Sequence, residues 1–421
     1  LETYKKWALK LIEAGRAYAD PYTSEQVQAF REQAQAAKKP FLYRNHRPEN
    51  PPAWDGTMPL RFKSEPKSYT WNDVVYGKLS TGPEVIDDFI LMKSDGYPTY
   101  NFAHIVDDAE MKVTHILRGQ EFISSQPNYM NLYEALGYDM TPVTTPIEAQ
   151  HERSELQGVE QDDEYTSSLQ RKGKPLLPVF ATMPHILNEQ GNKKLGKRDG
   201  AKDVLDYIRD GYLPETMLNF IATLGWNDGS EQEIFSKKEL IAKFDLNRVQ
   251  RSGARFDEKR LLWMNGQWIR QLTLDDLMIR VEPYWSTEAT TASEDFKRQV
   301  LALAQDRMKT LADLPLLTSY FFAEPARNDN LITDNKQLKR LSPDEITSLI
   351  SASADELGKL KTWNAEAIQE ALNRLLEQTG QKPGTLFSLV RIYTTWSPFS
   401  PQLNETLELL GQQTTLARLS K

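Results

Sequence analysis

Apolar residues at positions 4, 7, 8, 11 and 12 recur at helical spacing, so a helix is expected over 1–15, stopped by Gly15. A second, polar helix is expected over 24–37, begun by Thr23 or Ser24. From 40 to 85 the pattern shortens. Short β-type runs such as Leu60-Arg61-Phe62 and Tyr69-Thr70-Trp71 stand among prolines and tryptophans, which suits a small α+β insertion. Asp88–Met92, Thr99–Val106 and Thr114–Leu117 read as strands, with a turn at Asp95-Gly96, and a helix follows from about Gln126 to Leu136. Val179 to Leu187 resumes a strand-like run. Beyond it the period is helical over 202–209, 214–224, 236–243, 257–265 and 273–281, and from about 290 onward the chain reads as helix and loop. The change from mixed α/β to all-α near residue 190 is the clearest domain boundary.

Length and composition narrow the class. At 421 residues the chain exceeds a single ordinary core, so several domains are expected. A net charge of -8 argues against a protein that coats nucleic acid wholesale, while leaving room for a local basic face. The absence of cysteine removes disulfides, thiolate zinc sites and cysteine nucleophiles, and fits a cytoplasmic setting. No apolar run approaches the roughly 18 to 20 residues of a membrane helix, so no membrane partner is expected. Residues 145–175 turn polar, acidic from Glu148 to Glu164 and then basic at Arg171, Lys172 and Lys174, the signature of a solvated, mobile insertion. The chain begins at Leu1, directly in a helical pattern and without a signal peptide, and reads as a fragment whose start is missing.

Three stretches carry chemistry. The loop Gly191-Asn192-Lys193-Lys194-Leu195-Gly196-Lys197-Arg198-Asp199-Gly200 sets four cations between glycines, a cradle suited to a triphosphate; a solvated basic loop is the plainer alternative. Lys93 to Asp108 is dense in hydrogen-bonding side chains. There His104, Asp107 and Asp108 could hold a metal, or Tyr100 and His104 could touch a small polar substrate while the aspartates do structural work. Arg118, beside Gly119 at a strand end, suits a substrate carboxylate, or a salt bridge with Glu121 or a nearby aspartate.

The order of these stretches resembles bacterial glutamyl-tRNA synthetases, which are class I aminoacyl-tRNA synthetases. The resemblance rests on Ser94-Asp95-Gly96-Tyr97-Pro98-Thr99-Tyr100-Asn101-Phe102-Ala103, then Val106-Asp107-Asp108, Ile116-Leu117-Arg118-Gly119 and Lys194-Leu195-Gly196-Lys197-Arg198. Gly211-Tyr212-Leu213-Pro214-Glu215, Leu224-Gly225-Trp226 and Leu262-Trp263-Met264-Asn265-Gly266 extend it.

The resemblance implies a multi-domain protein: an α/β Rossmann-type catalytic domain with an α+β connective insertion, followed by all-α stem-contact and anticodon-binding domains. By it, 1–15 ends the first Rossmann half, 16–98 is the connective, acceptor-binding insertion and 99–190 the second half. Residues 191–282 carry the KMSKS loop and stem-contact helices, and 283–340 and 341–421 bind the anticodon. Glutamate and ATP, with Mg2+ as its substrate complex, would form glutamyl-adenylate, and the acyl group would pass to tRNA(Glu). Lys194, Lys197 and Arg198 match the ATP-clamping signature, and Arg118, Tyr100 and His104 the glutamate pocket. Arg307 and Arg391 align with anticodon-reading arginines. A cytoplasmic monomer is implied.

The chain departs from the family's pattern in several places. It has no HIGH-type motif, so the polypeptide as given is expected to be inactive in aminoacylation, and a non-catalytic tRNA-binding protein is the alternative from another class. A synthetase that also charges tRNA(Gln) is the nearer alternative. Gly196 stands where a serine is usual. Some relatives bind zinc near 16–45 through cysteines; Ala19-Asp20-Pro21-Tyr22-Thr23 offers none, so no structural zinc is expected.

Overall fold

A computed structural model of the chain describes residues 1–141, 170–171, 173–196, 198 and 202–421. It falls into two compact units. One holds Leu1–Ile186 with Gly225–Asp228 and Asp245–Ala254; the other holds Leu187–Leu224, Gly229–Phe244 and Arg255–Lys421.

In the first unit, helix α1 (Glu2–Glu13) buries Ala8 and Leu11. After β1 (Ala17–Ala19), helix α2 (Ser24–Ala36) opens on a capping box: the Gln26 N–H donates to Thr23 Oγ1, and the Thr23 N–H donates to the Gln26 side chain. Strands β2 (Leu60–Phe62), β3 (Tyr69–Asp73), β4 (Gly77–Thr81) and β5 (Ile90–Met92) follow. Then come α3 (Tyr100–Glu110), β6 (His115–Gly119), α4 (Gln126–Ala135), the short hairpin β7 (Gln170–Arg171) and β8 (Lys174–Pro175), and β9 (Val179–Met183). One antiparallel sheet has the order β1-β2-β5, and a mixed sheet has the order β4-β3-β9-β6. In the second sheet β9 runs parallel to both β3 and β6, with Arg118 opposite Thr182. Phe62, Leu91, Phe102, Ile105, Ile116, Tyr133 and Phe180 belong to one core beneath both sheets.

The structure corrects the strand expected over Thr99–Val106. Tyr100–Glu110 is a helix, and Thr99 caps it in an extended conformation. Tyrosine, phenylalanine, isoleucine and valine give this stretch a strand-like composition, but Phe102, Ile105 and Val106 are buried at spacings of three and four. One buried face at helical period outweighs local propensity. Of the insertion expected over 145–175, the ends that form β7 and β8 pair as a hairpin, and residues 145–169 and Lys172 lie outside the described residues.

The second unit is mostly helical. Among its helices are Val204–Arg209, Pro214–Ala222, Glu258–Gln271, Leu274–Arg280, Glu294–Ala304, Pro343–Gly358, Ala365–Thr379 and Pro383–Thr395. Leu213, Ile269, Leu277, Leu301, Met308 and Leu314 share one core, and Ile332, Leu338, Leu349, Leu372 and Leu389 share another. The domain limits expected at 282/283 and 340/341 therefore each fall within a shared core.

Candidate functional site

Helix α3 is pinned at its start, because the Thr99 hydroxyl donates to the Ile90 carbonyl at 2.6 Å and the Thr99 N–H donates to Leu91 O at 2.8 Å. The helical turn puts Tyr100 and His104 on one face, their rings stacked with centroids 5.1 Å apart. His104 Nδ1 lies 2.8 Å from the Tyr100 carbonyl, so Nδ1 carries the proton and Nε2 is left as an acceptor. Arg118 Nη1 approaches that Nε2 at 3.5 Å. Burial, with a smaller contribution from the Arg118 charge, pushes His104 down to about 4, while its bond to Tyr100 opposes the shift. The imidazole is neutral at pH 7.

Arg118 projects from β6 into an aromatic enclosure. Its guanidinium lies 5.4 Å from the Phe122 centroid and 5.5 Å from that of Tyr129. Tyr129 is itself fixed by donating to Asn101 Oδ1 at 2.7 Å. Arg118 Nε is buried with no hydrogen-bond partner. Among the described residues no carboxylate comes within salt-bridge distance of Arg118. The salt bridge weighed with Glu121 is not formed, and Glu121 instead faces His185 Nδ1 at 3.6 Å. A narrow recess beside the guanidinium is walled by Trp71, Asp73, Ile116, Phe180 and Thr182. Asp73 accepts from the N–H groups of Val75, Tyr76 and Thr182 and from the Thr182 hydroxyl, so it lashes β3 to β9 and is already fully engaged.

Asp107 accepts from the Tyr4 hydroxyl at 2.7 Å, and among the described residues no three His, Cys, Asp or Glu side chains are grouped to hold a metal. Sequence reasoning brought Tyr100, His104 and Arg118 forward, and they do meet. It passed over Phe122, Tyr129 and Asp73. Tyr129 sits in an apolar helical stretch that reads as core, and nothing local marks it as a wall of this enclosure.

The basic loop belongs to the second unit. Leu187 pairs with Lys194 across a hairpin whose turn is held by Asn188, which accepts from the Asn192 N–H and donates to Asn192 Oδ1. Gly191 has φ +73° there, a conformation that side chains disfavour. Lys194 and Arg198 are exposed, and Lys197 lies outside the described residues. In the same unit Arg307 is exposed on a short turn, Gln305–Arg307. Arg391, on the helix Pro383–Thr395, is half-buried and donates from Nε to Ser400 Oγ at 2.8 Å. Burial lowers the Arg391 guanidinium from its ordinary value, Tyr320 opposes this and the Arg307 charge adds to it.

The model for the catalytic domain of class I tRNA synthetases (E and Q) matches residues 1–153 and 161–263, and that for an anticodon binding domain matches 276–421. The chain belongs to this synthetase family. It is 33% identical to the glutamate–tRNA ligase of Exiguobacterium sibiricum, over all of this chain and 82% of the relative. The glutamate–tRNA ligase of a Dehalococcoides mccartyi strain is likewise 33% identical, over all of this chain and 79% of its own. The crystal structure of a glutamate tRNA ligase from Elizabethkingia meningosepticum in complex with its amino acid superposes with a TM-score of 0.75, at 26% identity, over all of this chain and 81% of that one. The class I E and Q family thus spans both units, and among the described residues no helix is long and apolar enough to cross a membrane.

Proposed function

We propose that the protein is a glutamate–tRNA ligase. A glutamate carboxylate oxygen attacks the α-phosphorus of ATP, pyrophosphate leaves, and the 3′-terminal adenosine of tRNA(Glu) then takes the glutamyl group as AMP departs. The observation that carries this reading is Arg118: a guanidinium held in an aromatic enclosure, one N–H unpartnered, with no carboxylate of its own. The side-chain carboxylate of glutamate supplies the missing anion in a bidentate pair. Neutral His104 adds no competing charge, and Tyr100 closes the same face. Glutamine would leave a half-buried cation unpaired, which is the basis for rejecting it.

Lys194, Lys197 and Arg198 are assigned to the triphosphate of ATP, which arrives with its Mg2+ as a substrate complex. They neutralise charge that builds on the phosphates during attack, with no covalent step on the protein. Arg307 and Arg391 are assigned to unpaired anticodon bases, where a forked, planar cation can both pair and stack. Within this reading the protein works as a cytoplasmic monomer, with 16–98 facing the acceptor end and the residues beyond 283 the anticodon.

Charging of glutamate and glutamine tRNAs by the full-length protein tests the assignment. Arg118→Ala should lower kcat/KM for glutamate by about 10³ or more, since an arginine–carboxylate pair is lost, and Lys194→Ala should lower kcat with little change in KM for glutamate. Glutamylation undiminished in Arg118→Ala would refute the pocket.

A further inference from the structure

We propose that Asn265, seated against Gly211, is a positioning residue for tRNA recognition: it fixes the turn that presents Arg307. The inference rests on the assignment of Arg307 to tRNA.

Asn265 lies in the middle of the helix Glu258–Gln271 and is fully buried. Its side chain bonds the backbone at three places in two stretches, 211–213 and 309. Oδ1 accepts the Leu213 N–H at 2.9 Å, and Nδ2 donates to Lys309 O at 2.6 Å and to Gly211 O at 3.4 Å. Gly211 O also accepts the Leu311 N–H at 2.9 Å. Only glycine fits at 211. It has φ +80°, and a Cβ there would stand 2.5 Å from Ala312 N and 2.6 Å from Leu311 N. The stretch 309–311 is therefore clamped from both sides, two residues after Arg307.

The other end of the turn is held as well. Gln305 Nε2 donates to Ile269 O and Leu272 O at the end of the same helix, and Met308 between the two anchors is fully buried. Arg307 is thus an exposed side chain on a backbone whose neighbours on both sides are tied down. Ordering an arginine on a flexible turn consumes binding free energy, and a turn fixed in advance avoids that loss. An amide is the one side chain that meets this joint's demand for an acceptor and a donor at neighbouring atoms. Aspartate keeps the acceptor for Leu213 but sets a carboxylate oxygen against two carbonyls.

A double-mutant cycle on tRNA(Glu) binding tests this, using the full-length protein at fixed salt. Arg307→Ala should weaken binding about tenfold in the natural background. Asn265→Asp should weaken it by a similar factor, and adding Arg307→Ala to Asn265→Asp should then change binding by less than about twofold. If Arg307→Ala loses the full tenfold in both backgrounds, Asn265 is only a stabilising residue and the inference fails while the tRNA role of Arg307 stands. If Arg307→Ala has no effect even in the natural background, the tRNA assignment itself fails and the inference with it. Should Asn265→Asp not fold, Asn265→Ser, which keeps a hydroxyl at the joint but cannot span its partners, enters the cycle in its place, with the same outcomes.

Discussion

Arg47, Arg61 and Arg118 all belong to the first unit and carry the same guanidinium into different surroundings. Arg61 stacks 3.4 Å over the Tyr43 ring and gives Nε and Nη2 to Asp20 Oδ2, which also accepts from the Tyr43 hydroxyl. Arg47 forms a two-pronged pair with Asp88, whose carboxylate also receives Tyr18 and Ser64. Arg118 has aromatic faces around it as Arg61 does, but no carboxylate. In the first two places a buried carboxylate takes two of the guanidinium's nitrogens. In the third no carboxylate is paired with the guanidinium, which favours a ligand that brings the charge. What separates Arg118 from Arg47 and Arg61 is the missing carboxylate partner.

The sharpest way to break this comparison is to remove one partner from each region. Asp88→Ala should destabilise the fold by about 3–5 kcal/mol in chemical denaturation, since it strands Arg47 and two hydroxyls. Arg118→Leu should leave the denaturation midpoint unchanged or raise it. Equal losses in the two variants would show that Arg118 is as structural as Arg47.

A smaller effect comes from His104. Its folded pKa of about 4 lies below the value near 6.5 expected of an unfolded histidine, so the unfolded chain binds more protons between those limits. Stability from this group is fully present above about pH 6.5 and is lost as pH falls through about 4. The loss should reach about 2 kcal/mol after allowance for partial solvent contact. His104→Gln should therefore lose less stability than the natural protein between pH 7 and pH 4. Parallel pH curves for the two would remove the neutral imidazole from the pocket description. Smallest of the three, Tyr129→Phe keeps the ring beside Arg118 and deletes one hydrogen bond to Asn101, for a loss of about 1 kcal/mol in thermal melts. A much larger loss would mean that the hydroxyl holds more of the enclosure than Asn101 alone.

Arg118 is visible in the sequence and the paired arginines are not. Arg118 stands in a motif whose neighbours, Tyr100 and His104, are close in the chain and become one helical face. The pairs Arg47–Asp88 and Arg61–Asp20 join residues 41 apart in each case, and no local pattern marks such a match. The aromatic and branched residues of helix α3 suit strand or helix, and only the burial of Phe102, Ile105 and Val106 tells the two apart. Asn265 stands within the stretch Leu262–Gly266, but its backbone partners come from segments that only folding brings near.

The parallel pairing of β3 with β9 has a consequence for how the chain is made. The sheet of β1, β2 and β5 can close once residue 92 has emerged, whereas β3 must wait for β9, which ends at Met183, about ninety residues later. At roughly 5–20 residues per second on a ribosome, that delay is on the order of 5 to 20 seconds. Throughout it the hairpin of β3 and β4 has one edge open, and that edge includes Trp71 and the carboxylate of Asp73 before Thr182 has arrived to receive it. Newly made protein therefore carries an open strand edge for that whole interval.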